Sequence, residues 1–168
     1  MDVTQVQQKA VSRIMNQISD PTAAALLVGK TSRAAELGIQ LVLDLDSRLS
    51  GDGRFLPSSA FVTILGNLIN NALDSLNLPG QEPKEITVSI REEEASLLLC
   101  VEDTGPGIDP AVLPHIFEPG FSTKGLERGT GLPLVRELVE LYHGQIRVES
   151  ERDVGAIFYV SFREEKEE

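Results

Sequence analysis

Apolar positions along this chain fall into a few spacings, and each spacing predicts an element. Over residues 3–18 the apolar positions are Val3, Val6, Ala10, Ile14 and Ile18 in an otherwise polar segment. That is close to a heptad stripe and predicts a helix. Asp20-Pro21 breaks it, and a second helical pattern begins at Thr22 and runs through Leu37, with Gly38 as its C′ residue. Ile39, Leu41, Leu43 and Leu45 alternate, which predicts a strand over 39–45. A charged loop with two glycines follows at 47–53. Pro57, Ser58 and Ser59 then open the strongest helix, which runs to about Leu76. Phe61, Ile64, Leu65, Leu68, Ile69, Ala72 and Leu76 share one broad face of it. Asn67, Asn70, Asn71 and Asp74 form a polar stripe beside that face. Asparagine is a poor helix former, so this stripe calls for a reason other than solvation.

In the second half, Ile86, Val88 and Ile90 alternate with Thr87, Ser89 and Arg91, the signature of a half-buried strand. Residues 95–103 are more continuously apolar and should form a central strand, paired with the first through a tight turn at 92–94. Residues 130–142 read as a helix with Leu134, Leu138 and Leu141 on one face, ended by His143-Gly144. Two more strands are expected at 145–150 and 156–162, joined by a turn at 152–155. About five strands and three helices in mixed order imply an α+β fold. The expected form is a two-layer α/β sandwich, one mixed sheet with the helices on one face.

Composition narrows the class. The 168 residues, 41% hydrophobic and 24% charged, suit one globular domain. No apolar run approaches the roughly 20 residues that span a bilayer, and the N-terminus is too polar for a signal peptide. A net charge of −11 argues against nucleic acid as a partner. The lone Cys100 sits in the apolar run LLLCV and reads as a reduced core thiol.

The chemistry concentrates in residues 101–134, VEDTGPGIDPAVLPHIFEPGFSTKGLERGTGLPL. Asp103 ends a strand and precedes Gly105 and Gly107. A carboxylate there suits an exocyclic amine such as N6 of adenine, and the glycines let backbone pass beside a flat base. Gly129-Thr130-Gly131 opens a helix, whose N–H groups and dipole suit phosphates. Neither pattern is a Walker or a Rossmann sequence. Asn71 offers a carbonyl oxygen suited to Mg²⁺, and Asn67 lies one turn earlier on the same side. Lys124, between the glycine pairs, is placed to reach a γ-phosphate. The segment 120–128 lacks a period and reads as a mobile lid.

Taken together, NLINNALDSL, VEDTGPGI, IFEPGFSTK and GTGLPL resemble the N, G1, F and G2 boxes of the GHKL superfamily. That superfamily holds gyrase-type, heat-shock and mismatch-repair ATPases and sensor histidine kinases. LLVGKTSRAAELGIQLVLD and FSTKGLERGTGLPLVRELVE look most like sensor kinases of the citrate/C4-dicarboxylate group. The resemblance implies ATP and ADP as ligands with Mg²⁺ at Asn71. It implies adenine contact at Asp103, Gly105, Gly107 and Ile108, and phosphate contact from Asn67, Lys124, Arg128, Gly129, Thr130, Gly131 and Leu132. Phe117 and Phe121 would be lid anchors. Asn67, Asn71 and Lys124 would be the catalytic set. Asn67 stands where the ATPase branches carry a catalytic Glu, which favours phosphoryl transfer to a protein over hydrolysis. Asp74 and Pro133 depart from the family pattern, as positions where many kinases carry a basic residue and a glycine.

A histidine kinase also needs an acceptor histidine on an upstream helix, and neither His115 nor His143 is so placed. The expectation is therefore a fragment. Residues 1–19 would end a dimerisation helix, 20–163 would be the ATP-binding catalytic domain and 164–168 an acidic tail. The implied partners are its own dimerisation/phosphoacceptor domain and a response regulator, with a membrane-anchored homodimeric parent and a cytoplasmic location for this part. The competing readings are an anti-sigma-type serine kinase or regulatory ATP-binding module, and an ATPase-driven clamp.

Overall fold

A computed structural model of the chain describes residues 3–119 and 131–164, with side chains from residue 5 onward. Helix α1 spans Val3–Gln17, α2 Pro21–Glu36, α3 Ser58–Leu76 and α4 Gly131–Leu141. The strands are β1 Gln40–Leu43, β2 Glu85–Glu92, β3 Ser96–Asp103, β4 Gln145–Glu151 and β5 Gly155–Arg163. They form one sheet in the order β1-β2-β3-β5-β4. Strand β1 runs parallel to β2 and the other pairs are antiparallel, so the sheet is mixed, with β3 at its centre.

The two-layer sandwich follows from period-2 burial. Ile86, Val88 and Ile90 of β2, Leu97, Leu99 and Val101 of β3 and Phe158, Val160 and Phe162 of β5 are buried in one row-aligned face. The 3.6-period face of α3 covers it with Phe61, Ile64, Leu65, Leu68, Ile69, Ala72 and Leu76, all 2% exposed or less. Each large apolar side chain so buried contributes about 1.5–3 kcal/mol before the entropy of ordering it. Burial of this kind, rather than propensity, holds an asparagine-rich helix together.

Between α1 and α2 the chain turns at Asp20, which is 4% exposed. Its carboxylate accepts the N–H of Thr22 at 3.0 Å, an N-cap with Pro21 at the first helical position, and the hydroxyl of Ser58 at 2.6 Å. One side chain thus starts α2 and ties it to the start of α3. Gly38 takes φ +72°, the left-handed conformation of a C′ residue.

Three expectations are corrected. The strand over 39–45 is shorter: β1 ends at Leu43, the chain turns at 44–46, and Leu45 is 64% exposed. The buried positions of α4 are Val135 and Val139, whereas Leu134 and Leu141 are exposed and Leu138 is half-buried. Helix α4 packs against α3 and β4 at the edge of the layer, and that contact selects the β-branched stripe. The asparagine stripe of α3 also divides, as described below. Among the described residues no helix is long and apolar enough to cross a membrane.

Candidate functional site

Period-2 alternation in β3 carries a carboxylate into the core row: Leu97, Leu99, Val101, then Asp103, 4% exposed. A buried carboxylate needs hydrogen-bond donors, and the Gly105 N–H donates to Asp103 Oδ1 at 2.9 Å. The turn after Asp103 is tight on both sides. A β-carbon on Gly105 would come 2.9 Å from that oxygen and 3.4 Å from Ser75 Cβ of α3. Gly107 has φ +79°, and a β-carbon there would come 2.6 Å from the Glu151 carbonyl oxygen. Both glycines therefore answer to close approach, and Gly107 also to backbone conformation.

Residues distant in sequence hold this turn. The Thr104 hydroxyl donates to the Pro83 carbonyl at 2.7 Å and accepts the Glu85 N–H at 3.0 Å. The Gln81 amide donates to the Thr104 carbonyl at 2.8 Å. On the other flank the Asp153 N–H donates to the Pro106 carbonyl at 2.9 Å, and the Ile108 N–H donates to Ser150 Oγ at 2.7 Å. The Asp103 carbonyl oxygen occupies the space where a side chain on Gly155 would stand. Thr104, Ser150 and Gly155 were not among the expected site residues. Gly155 was visible only as a turn glycine, and nothing local marks a serine at a strand end as a partner of a loop 42 residues away.

Along α3, Asn67, Asn71 and Asp74 are half-buried on one line, while Asn70 is exposed. Asn70 instead accepts from Lys30 Nζ of α2 at 2.6 Å. Partial burial of that lysine lowers its pKa from the ordinary value. The Asn67 amide nitrogen donates to the Thr63 carbonyl at 2.8 Å, which presents its oxygen toward α4. A β-carbon on Gly131, the first residue of α4, would come 3.1 Å from that oxygen. The Asn71 side chain, half-buried, makes no hydrogen bond to the described residues. Ser75, one turn beyond Asn71, touches the Gly105 position. The axial rise of a helix puts about 12 Å between residues 67 and 75, on the scale of an extended nucleotide from base to terminal phosphate.

Phe117 is half-buried, its ring edge-on to Phe158 at 6.5 Å and 85°, and the neighbouring Ile116 is 9% exposed. Ile108 and Leu132 also pack partly against the core. The structure thus brings Asp103, Gly105, Gly107 and Ile108 together at one end of α3, and Asn67, Gly131 and Leu132 together nearer its start. Phe121, Lys124, Arg128, Gly129 and Thr130, with the expected lid, lie outside the described residues. Among the described residues no group of three or more His, Cys, Asp or Glu side chains could hold a metal ion. A cation here would rest on the Asn71 oxygen, substrate phosphates and water. That hard, partly hydrated oxygen set fits Mg²⁺.

The sheet order and the helix layer define a two-layer α/β sandwich with a buried strand-end carboxylate over a glycine turn. The chain belongs to the family of histidine kinase-, DNA gyrase B- and HSP90-like ATPases, whose profile matches residues 57–166. It is 42% identical over 154 residues to the sensor histidine kinase DcuS of Escherichia coli (strain K12), covering 91% of this chain and 28% of that protein. It is 40% identical over 157 residues to the sensor protein CitS of Halalkalibacterium halodurans, covering 93% and 29%. The chain therefore spans less than a third of the length of these relatives. Its fold is that of the nucleotide-free catalytic domain of histidine kinase ThkA, at a TM-score of 0.67 and 22% identity, with 84% of this chain and 90% of that one covered. The superfamily expected from the four boxes, and the citrate/C4-dicarboxylate grouping expected from the runs beginning at Leu26 and Phe121, are those found.

Proposed function

We propose that this chain binds Mg-ATP and transfers the γ-phosphoryl group to a histidine on a separate acceptor helix, as the catalytic domain of a two-component sensor histidine kinase. The observation that carries the proposal is Asn67. Its side-chain oxygen faces the first residue of α4, the helix N-terminus suited to phosphate. An amide there cannot take a proton from water, so the acceptor has to bring its own nucleophile. In the transfer the bond from the γ-phosphorus to the ADP oxygen breaks, and a bond to an imidazole nitrogen forms.

The residues divide the work along α3. Asp103 accepts the adenine amine, with Gly105, Gly107 and Ile108 beside the base. Asn71 holds the cation, whose contribution when bound is to neutralise phosphate charge. Asn67, Gly131 and Leu132, with Gly129, Thr130, Lys124 and Arg128, orient the phosphates, and Phe117 and Phe121 anchor the segment between. Phosphoryl transfer is mainly positioning and charge stabilisation, so this set suffices without a base. Helix α1 would continue from the acceptor domain. Ile14, Gln17 and Ile18 anchor its end in the fold, while Val6 and Met15 stay exposed for a helical partner. A response regulator would receive the phosphoryl group, and the parent would be a membrane-anchored homodimer with this part in the cytoplasm.

The test is to incubate the chain with labelled Mg-ATP and the acceptor-helix domain of its parent kinase. The expected product is acid-labile label on the acceptor, little steady hydrolysis, and no transfer by Asn71→Ala. Acid-stable label on a serine would indicate the anti-sigma-type kinase instead. Brisk ATP turnover by the chain alone would overturn the reading of Asn67.

A further inference from the structure

We propose that Ser150 is a positioning residue for adenine recognition: its hydroxyl holds the Gly105–Gly107 turn in the shape that lets Asp103 discriminate the base. This rests on the ATP-binding reading of the site. Asp103 pairs in register with Ala156, and Ala156 with Ser150. The three lie in one row across β3, β5 and β4. Paired residues of neighbouring strands face the same side, so Asp103 and Ser150 point into the same layer, about 10 Å apart.

The turn hangs between them. Its near end is the strand itself, with the Asp103 carboxylate drawn onto the Gly105 N–H at 2.9 Å. Its far end leaves the ladder, and there the Ile108 N–H has Ser150 Oγ as its acceptor at 2.7 Å. Between the two, Gly107 passes over the Glu151 carbonyl so closely that a β-carbon would come 2.6 Å from it. If the hydroxyl is lost, a partly buried N–H has no partner, and the turn relaxes away from β4. The Gly105 N–H moves with it, and that group donates to the Asp103 carboxylate. Ser150 need not touch the nucleotide to act on which base is accepted.

The experiment is calorimetry of the purified chain with ADP and with inosine diphosphate, which carries a carbonyl in place of the 6-amino group. Ser150→Thr and Ser150→Val are isosteric β-formers that differ in the hydroxyl. Ser150→Val should weaken ADP about 3- to 10-fold while leaving the weaker inosine diphosphate almost unchanged, so the preference narrows. Ser150→Thr should restore it, and in the Asp103→Asn background Ser150→Val should have no further effect. Equal loss for both nucleotides with a lowered Tm, or an unchanged preference in folded Ser150→Val, overturns the proposal. If Ser150→Val does not fold, the NMR signal of the Ile108 amide decides. It should stay in place in Ser150→Thr and move in Ser150→Ala, and an unmoved signal overturns the proposal. Failure of the unmodified chain to bind ADP at all would instead bring down the site reading beneath it.

Discussion

Gly131 opens α4 against the side-chain oxygen of Asn67 on α3, at a separation that leaves a β-carbon only 3.1 Å of room. The contact sets how closely the N-terminus of α4 approaches the polar line of α3. Gly131→Ala should therefore separate stability from binding. Gly131 is the first residue of α4, where little of alanine's interior-helix advantage applies, so thermal stability should change little. The methyl group should displace the Asn67 oxygen and weaken Mg-ATP several-fold. Thermal melts and calorimetry on the same protein check both halves, and unchanged Mg-ATP affinity would remove Gly131 from the phosphate end.

Asp103→Asn should weaken ADP by about 1–3 kcal/mol, the scale of a lost charged hydrogen bond. The Asn oxygen can still accept the Gly105 N–H that Asp103 accepts now, so the fold should persist. Calorimetry with the folded variant is the measurement, and unaltered ADP affinity would remove Asp103 from the site.

Gln17 joins α1 to the sheet. Its amide nitrogen lies 2.9, 3.1 and 3.0 Å from the carbonyl oxygens of Asp44, Leu45 and Ser47. Gln17→Leu would leave the buried Ser47 carbonyl and two part-buried carbonyls without this donor, at a cost of about 1–3 kcal/mol. Denaturant unfolding should show that loss, whereas ADP affinity should not change, because the contact is remote from Asp103.

Burial, reinforced by Glu102 and Glu149, pushes the Cys100 thiol up to about 11 from an ordinary 9.0. Two units leave about 100-fold less thiolate near pH 8, so alkylation of the native protein should be slower than that of the unfolded chain by about that factor. The folded state holds this proton more tightly than the unfolded one. Its contribution to stability is fully present below about pH 9 and is lost as pH rises toward about 11. Cys100 is half-buried on the face of β3 opposite the core row, not in the core as its apolar run suggested. Native labelling as fast as denatured labelling at pH 8 would contradict even this partial shielding.

What the chain determines by itself is local and periodic. The apolar face of α3, the alternation in β2 and the breaks at Asp20-Pro21 and Gly38 follow from side-chain geometry at fixed intervals, so the elements and the two-layer class were readable. Asp103, Gly105 and Gly107 were readable for a related reason: a carboxylate and two glycines at a strand end are a local pattern. Which leucine or valine of α4 goes inward was not, because both stripes are apolar and the choice depends on where α3 and β4 lie against it. The same holds for the asparagines of α3, where a lysine on α2 takes Asn70, while Asn67 and Asn71 stay on the half-buried line. Ser150, Thr104 and Gly155 serve the turn only because β4 and β5 fold back beside β3. Register across three strands, not any spacing along the chain, brings them there.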